Sequence, residues 1–180
     1  MIKVRSGFSL LELVVVITIL AIIAVAMTPL FRGRESQLRT KDFVAKLNLL
    51  MQTSWQQALT SGKVQKVHCY LKNKKIELEE PKEVGSKDFI PFAHEFLNTQ
   101  LEIPQTYFFK NFYIEGEDEM RKGKRKSVYF YIAPSGLAQN VIINVIDQND
   151  DLEKGESEQF GLVLNPFSVQ FDYYDTFQKP

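Results

Sequence analysis

The sequence predicts an α+β fold, in which a long N-terminal helix with a transmembrane half and an amphipathic half packs against an antiparallel β-sheet head. Three observations support this prediction. The chain opens with an apolar run, apolar residues then recur at helical spacing, and alternating segments separated by turn residues fill the remainder. We therefore expect a leader at residues 1–7, the transmembrane half at 8–31, the amphipathic half at 32–62 and the head at 63–180.

The apolar run at residues 8–31 contains one charged residue, Glu12. A helix rises about 1.5 Å per residue, so this run is long enough to cross a hydrocarbon core of roughly 30 Å. A carboxylate at the centre of such a span costs on the order of 3 kcal/mol, and less near an end. Glu12 therefore calls for a functional explanation.

Two general explanations of Glu12 are open. Ser9 and Glu12 have the spacing of a capping box, which satisfies free amides at a helix start. Alternatively, the basic leader and the apolar run form a secretory signal that is cleaved after the Ala-Val-Ala sequence at residues 24–26. The acid within the run, the length of the run and the helical pattern directly beyond it argue against a cleaved signal.

The stretch from Gly7 to Ile17, GFSLLELVVVI, resembles the prepilin cleavage and methylation motif of type IV pilins and type II secretion pseudopilins. The resemblance implies that prepilin peptidase cuts between Gly7 and Phe8 and methylates the new amine of Phe8. Glu12 becomes the fifth residue of the mature chain, and Pro29 falls where many members have a helix-loosening proline. In a filament of staggered helices, the Glu12 carboxylate would lie beside a neighbouring subunit's freed amine, and each charge would offset the other's desolvation.

The amphipathic half is predicted from a wide apolar face that continues beyond the span. The residues at three-to-four spacing are Phe43, Leu47, Leu50, Ser54 and Ala58, with Val44, Met51, Trp55 and Leu59 beside them. Ser61 and Gly62 supply a helix stop. Because Pro29 lacks the amide that its turn needs, we expect a kink or local melting of the helix there.

The head is predicted as an antiparallel meander. Residues 67–71 and 76–78 alternate around a turn and form a hairpin, whereas proline and glycine make residues 81–97 a loop. Further strand-like runs occupy residues 105–114, 127–133, 137–147, 159–164 and 168–174. Cys69 is the only cysteine, which excludes an intramolecular disulfide, and we expect it to be a small buried residue of a strand.

The order of these pieces resembles the H-type minor pseudopilins of type II secretion and the related minor pilins of type IV systems. The helix end at Ser61-Gly62, the segment from Tyr129 to Gly136 and a closing strand pair broken by Asn165-Pro166 carry the resemblance. It implies a structural subunit of a type II secretion pseudopilus, and a minor pilin of a type IV pilus or DNA-uptake system is the alternative. The implied partners are prepilin peptidase, other pilin-like subunits, the inner-membrane assembly platform and the membrane, with no cofactor.

The resemblance also implies a location. The chain would cross the inner membrane once, with a cytoplasmic N-terminus and a periplasmic head, and then enter a periplasmic pseudopilus. Lys3 and Arg5 fit this orientation, but the basic residues that follow the span oppose it under the positive-inside rule. Those residues are Arg32, Arg34, Arg39 and Lys41. The cytoplasmic N-terminus is retained because the leader must reach a peptidase at the cytoplasmic face.

Two charged segments of the head are candidate contact sites. A basic run comprises Arg121, Lys122, Lys124, Arg125 and Lys126. It could contact a partner subunit or DNA, but the pattern favours a solvated strand connection, and 22 basic against 22 acidic residues give no general reason to expect DNA. An acidic loop places oxygen ligands at EF-hand-like spacing, namely Asp147, Asn149, Asp151, Glu153 and Glu158. Leu152 replaces the central glycine, which favours a solvated loop over a calcium site.

The sequence favours a structural protein over an enzyme. Its two histidines, His68 and His94, have neither a metal-ligand nor a triad spacing to a partner, and no G-x-S-x-G or phosphate-binding glycine loop is present. Alternation directs His68 outward, on the face opposite Cys69. A membrane-anchored enzyme built from residues distant in sequence is the rival class.

Overall fold

The computed structural model describes residues 10–83, 85–94, 96–121, 125–148 and 158–180, without the side chains of residues 26–37. The chain divides into two units, Met1–Asp42 and Phe43–Pro180. Helix α1, Leu10–Ser61, begins in the first unit and ends in the second. Its assignment is continuous through Pro29, so the local melting expected there is wrong.

Helix α1 ends at Ser61, and Gly62 follows it directly. The amide of Gly62 donates to the carbonyl of Ala58 at 3.1 Å, and Gly62 has a φ of +64°. A residue in this left-handed conformation closes the last helical turn and directs the chain away from the axis. The chain then enters the first strand three residues later.

Among the described residues of the second unit, ten strands form two antiparallel sheets. They are β1 Gln65–Tyr70, β2 Lys75–Pro81, β3 Phe89–Pro91, β4 Gln100–Glu102, β5 Tyr107–Ile114, β6 Glu117–Asp118, β7 Ser127–Ile132, β8 Val141–Asp147, β9 Glu158–Asn165 and β10 Gln170–Tyr174. A helix followed by antiparallel strands confirms the α+β prediction.

The strand order corrects the predicted meander. The first sheet has the order β3-β2-β1-β7, with β4 also paired to β2, and the second has the order β10-β9-β8-β5-β6. β7 therefore pairs with β1, from the start of the head, and not with β8, which follows it in sequence. The reason is that the apolar faces of both sheets must be buried, and one continuous meander would not provide two packed layers.

Two segments differ from their predicted structures. Residues 81–97 are not all loop, because β3 pairs along β2 through the register Pro81 with Phe89. Proline is compatible with such short edge strands, which need no donor on the outer side. The strand predicted to begin at residue 137 begins at Val141, and residues 137–139 lie instead along the end of β7.

The core of the second unit lies between the C-terminal part of α1 and the inner faces of the two sheets. The five predicted positions at three-to-four spacing are all buried, as are Met51 and Cys69, whereas Val44 is half-buried and Leu59 is 45% exposed. Polar groups fix the helix to the sheets. Asn48 Nδ2 donates to the carbonyl of Phe171 at 3.1 Å, and its Oδ1 accepts from the Phe171 amide at 2.7 Å. Trp55 is half-buried, and its Nε1 donates to the carbonyl of Gly136 at 3.1 Å.

Candidate functional site

The predicted processing site, Gly7 and Phe8, lies outside the described residues. Glu12 stands in the first turn of α1. Every side chain from Leu10 to Val25 is exposed, and the exposed fraction of Leu10 reaches 83%. An apolar surface that surrounds a helix on all sides needs an apolar environment, because soluble proteins rarely expose continuous apolar patches of this extent.

Within the described part of the chain, no helix combines the length and apolar character required to cross a membrane.

Three members of the predicted basic run fall within the description, whereas Lys122 and Lys124 lie outside it. The Arg121 guanidinium lies 3.3 Å from an Asp118 carboxylate oxygen, although the side chain of Arg121 is 80% exposed. Arg125 forms a shorter ion pair, with 2.7 Å between its Nη1 and Glu119 Oε2. The Arg125 pair connects the segment after β6 to the approach to β7, whereas the Arg121 pair is local to the end of β6.

The predicted acidic loop is described only at its ends. Asp147 is buried at the end of β8, directly opposite Glu158, the first residue of β9. Asn149, Asp151 and Glu153 lie outside the described residues. In the described part of the chain, no three His, Cys, Asp or Glu side chains come together in a group that could hold a metal ion.

A dense polar arrangement lies on the outer face of the first sheet. The Glu79 side chain is only 7% exposed, and its carboxylate has three partners. Its Oε2 lies 2.7 Å from Lys66 Nζ, while its Oε1 lies 2.7 Å from His68 Nδ1 and 2.9 Å from the Tyr70 hydroxyl. Because an ionised carboxylate only accepts hydrogen bonds, the network assigns a proton to His68 Nδ1. We call these four residues the Glu79 cluster.

Aromatic rings cover the Glu79 cluster. His68 stacks on Tyr70 with ring centroids 4.0 Å apart, and the edge of Tyr129 approaches at 5.8 Å. The Lys66 ammonium lies 4.7 Å from the centre of the Tyr129 ring and 5.2 Å from that of Phe89. Cation–π contacts of this kind hold the ammonium in place while the rings exclude water.

The environment shifts the pKa values of the cluster in opposite directions. Burial raises the pKa of the Glu79 carboxyl, but the hydrogen bonds from Lys66, His68 and Tyr70 outweigh burial, and the resulting pKa lies below the ordinary value. Burial and the adjacent Glu79 carboxylate raise the pKa of Tyr70 to about 12. At neutral pH the cluster therefore contains a carboxylate that accepts from the Lys66 ammonium, the His68 ring and the Tyr70 hydroxyl.

The Glu79 cluster was not predicted from the sequence. Alternation correctly directed His68 to the outer face, yet the side chain is only 13% exposed, because neighbouring strands cover it. A signal was present in the hairpin, since Lys66, His68 and Tyr70 alternate on one strand. The register that sets Lys66 opposite Glu79 brings the charges together, and it is a property of the folded sheet.

The other predicted single residues are placed as follows. Burial raises the pKa of the Cys69 thiol to about 12, so the thiol is protonated at neutral pH, and its predicted place in the strand core is confirmed. His94 is exposed, and its Nδ1 accepts from the Phe96 amide at 3.2 Å within the same segment.

The N-terminal segment of the chain is similar in sequence to a known protein family. Residues 2–28 match the family described as the prokaryotic N-terminal methylation motif. This match confirms the predicted resemblance at the point where the leader meets the apolar run. No curated protein matches this chain in sequence.

The fold of the chain is similar to that of solved structures. Two structures of the minor pseudopilin EpsH from the type II secretion system of Vibrio cholerae are similar to this chain. One has a TM-score of 0.50 and 13% identity, covering 78% of this chain and 95% of the EpsH chain. The other has a TM-score of 0.51 and 14% identity, covering 82% and 98%. At these identities the likeness establishes the fold, which is a pseudopilin-like fold joined to an N-terminal methylation motif.

Proposed function

We propose that this chain is a minor pseudopilin-like structural subunit of a type II secretion pseudopilus. Prepilin peptidase processes it between Gly7 and Phe8, and the mature chain assembles through its apolar helix to support protein secretion across the outer membrane. The methylation motif supports the processing step, and the EpsH-like fold favours a secretion pseudopilus. A minor pilin of a type IV system is the alternative, since the same motif serves both.

One observation carries the proposal, namely the exposed apolar helix surface with a carboxylate in its first turn. The side chains of residues 10–25 need cover by lipid before assembly and by neighbouring helices afterwards. Glu12 would be costly among those helices unless an opposite charge met it. The amine that processing frees at Phe8 of a neighbouring subunit supplies that charge and sets the axial register.

The proposed location and partners follow from this mechanism. The chain is first anchored in the inner membrane with its head in the periplasm, where the assembly platform and other pilin-like subunits receive it. We propose a structural role without catalysis or cofactor. DNA capture gains no support from the basic run, since Arg121 and Arg125 each face a carboxylate.

The mass of the mature chain tests the processing step. We expect the chain isolated from a host with an active prepilin peptidase to have lost residues 1–7 and gained one methyl group. The same chain from a host without the peptidase should keep its leader and serves as the control. A mature chain that starts at Met27, or one that keeps residues 1–7 in both hosts, would contradict the proposal.

Replacing Glu12 tests the assembly step. We expect Glu12→Ala to be processed and inserted normally but to enter the filament poorly, because the neighbour's amine would be left without its partner. Thr18→Ala is a suitable control, since the Thr18 hydroxyl donates to the carbonyl of Val14 at 2.7 Å within the same helix. Comparing the filament and membrane fractions measures the effect. Equal incorporation of both variants would refute the role of Glu12.

A further inference from the structure

Strand β7 stands at the end of the first sheet. Its register with β1 shows which of its backbone groups face away from that sheet. The amide of Leu71 donates to the carbonyl of Lys126 at 3.0 Å, whereas Tyr131 directs its amide and carbonyl to the opposite side, towards Gln139. Backbone direction alternates along an antiparallel strand, so Ser127 and Tyr129 also direct their amides and carbonyls outward.

Residues 137–139 cover only one end of this outer edge. The Gln139 amide donates to the carbonyl of Tyr131 at 3.1 Å, and the Gln139 side chain accepts from the Tyr131 amide at 2.9 Å. For the outward groups of Ser127 and Tyr129, no backbone partner occurs among the described residues. Two donors and two acceptors therefore form an open row, which is a template for an added strand.

A groove of about 290 Å³ runs beside the open row. Its lining combines apolar, aromatic and charged side chains: Ile114, Glu119, Arg125, Tyr129, Tyr131 and Gln139. Tyr129 is 43% exposed there, so a large part of its ring is available for contact. A strand paired to β7 would direct alternate side chains into this groove.

The charge around the groove indicates what kind of strand fits. Lys126 is exposed immediately before β7. Glu119, by contrast, is half-buried and already engaged by Arg125. The accessible charge is therefore positive, which suits carboxylates on the added strand.

The segment at residues 137–139 also excludes one occupant. If two copies of the chain paired antiparallel through β7 around Tyr129, Tyr131 of each copy would face Ser127 of the other. Gln139 already occupies the edge at Tyr131. A second copy therefore does not fit in this register, whereas a short segment that ends before Gln139 does.

We propose that the open edge of β7 binds a short extended segment of a different polypeptide, which adds to the first sheet as a further strand. The backbone of that segment pairs with Ser127 and Tyr129, an apolar side chain occupies the groove, and a carboxylate faces Lys126. Strand addition of this kind obtains affinity from main-chain hydrogen bonds and selectivity from alternate side chains. It does not depend on methylation or on assembly through the apolar helix.

A binding experiment with synthetic peptides tests this proposal. The full-length chain in mild detergent is titrated with a fluorescein-labelled Glu-Val-Glu-Val-Glu peptide, and fluorescence anisotropy is measured. We expect saturable binding and slower hydrogen exchange at the Ser127 and Tyr129 amides. A Lys-Val-Lys-Val-Lys peptide should bind more weakly, and a Glu-Val peptide N-methylated at its pairing amides should bind at least about tenfold more weakly.

The matched protein variants are Ser127→Pro and Ser127→Ala. Proline removes the outward amide at the first residue of an edge strand, where it is tolerated, and leaves the ladder to β1 intact. We expect Ser127→Pro to weaken peptide binding about tenfold and Ser127→Ala to leave it unchanged. Absence of saturable binding at millimolar peptide, or equal binding of the N-methylated peptide, would overturn the proposal. The N-methylated peptide gives this answer with the unaltered protein, even if Ser127→Pro fails to fold.

Discussion

Glu79→Gln is expected to destabilise the head by about 3 kcal/mol. The substitution keeps the shape of the side chain and removes its charge. The amide oxygen can still accept from His68 and Tyr70 in the position of Oε1. The amide nitrogen then takes the place of Oε2, where Lys66 Nζ lies at 2.7 Å, so that two donors face each other.

The magnitude follows from burial and from the number of partners. Hydrogen bonds to charged groups contribute about 1.5–3 kcal/mol each, and breaking a buried ion pair costs about 3–5 kcal/mol. The Lys66 side chain is 13% exposed, so water reaches its ammonium in part and reduces the cost below the upper end of that range. A loss of about 3 kcal/mol lowers the Tm of a domain of this size by about 10 °C.

The pH dependence provides a second measure of the same group. The folded-state pKa of Glu79 is lowered, so its stabilising contribution is complete above the unfolded-state pKa of about 4.3. That contribution is lost as the pH falls through the folded-state pKa, because the carboxyl is then protonated in both states. The difference in stability between the unaltered chain and Glu79→Gln should therefore decrease in acid, as the pH falls below the unfolded-state pKa of Glu79.

Urea denaturation of the full-length chain, followed by the fluorescence of Trp55, measures the effect. This residue is the only tryptophan, and its indole nitrogen donates to the carbonyl of Gly136 in the head. Glu77→Gln is the matched control, since Glu77 lies on the same strand and pairs with Lys75 at 3.2 Å, where the Lys75 side chain is 33% exposed. We expect Glu77→Gln to cost less than about 1 kcal/mol. Equal losses for the two variants, or a Glu79→Gln effect that does not decrease in acid, would refute the reasoning.

Two further predictions concern glycines. In the same urea experiment, Gly136→Ala should destabilise the head by at least about 1 kcal/mol more than Gly85→Ala. Both glycines have a φ of +83°, but only a Cβ at residue 136 would lie 2.9 Å from the indole nitrogen of Trp55. Equal effects of the two substitutions would contradict this steric argument. Gly161→Ala should loosen the C-terminal segment, since its Cβ would lie 2.7 Å from the Thr176 carbonyl oxygen. We expect faster hydrogen exchange at the Gln178 amide, which donates to Asn144 Oδ1 at 2.9 Å, and unchanged exchange there would exclude this effect.

Local periodicity was sufficient to predict the helix, most of the longer strands and their buried faces. Phe43, Leu47, Leu50, Ser54 and Ala58 are buried as their spacing indicates, and Cys69 lies in the strand core. A repeat of three to four residues on a helix, or of two on a strand, states which side chains share a face, and burial follows from their apolar character. The N-terminal motif could also be recognised from the sequence, because its features occur within one short stretch.

The pairing of strands could not be obtained in this way. β7 pairs with β1 and leaves an open edge, and residues 137–139 cover part of that edge. The register of β1 with β2 brings the residues of the Glu79 cluster together. Each of these features joins residues that are distant in sequence, and their free energy depends on how two apolar sheet faces and a helix are buried together. A local pattern specifies which face of a strand is apolar but contains no information about which strand lies beside it, because adjacency is settled by packing across the whole head.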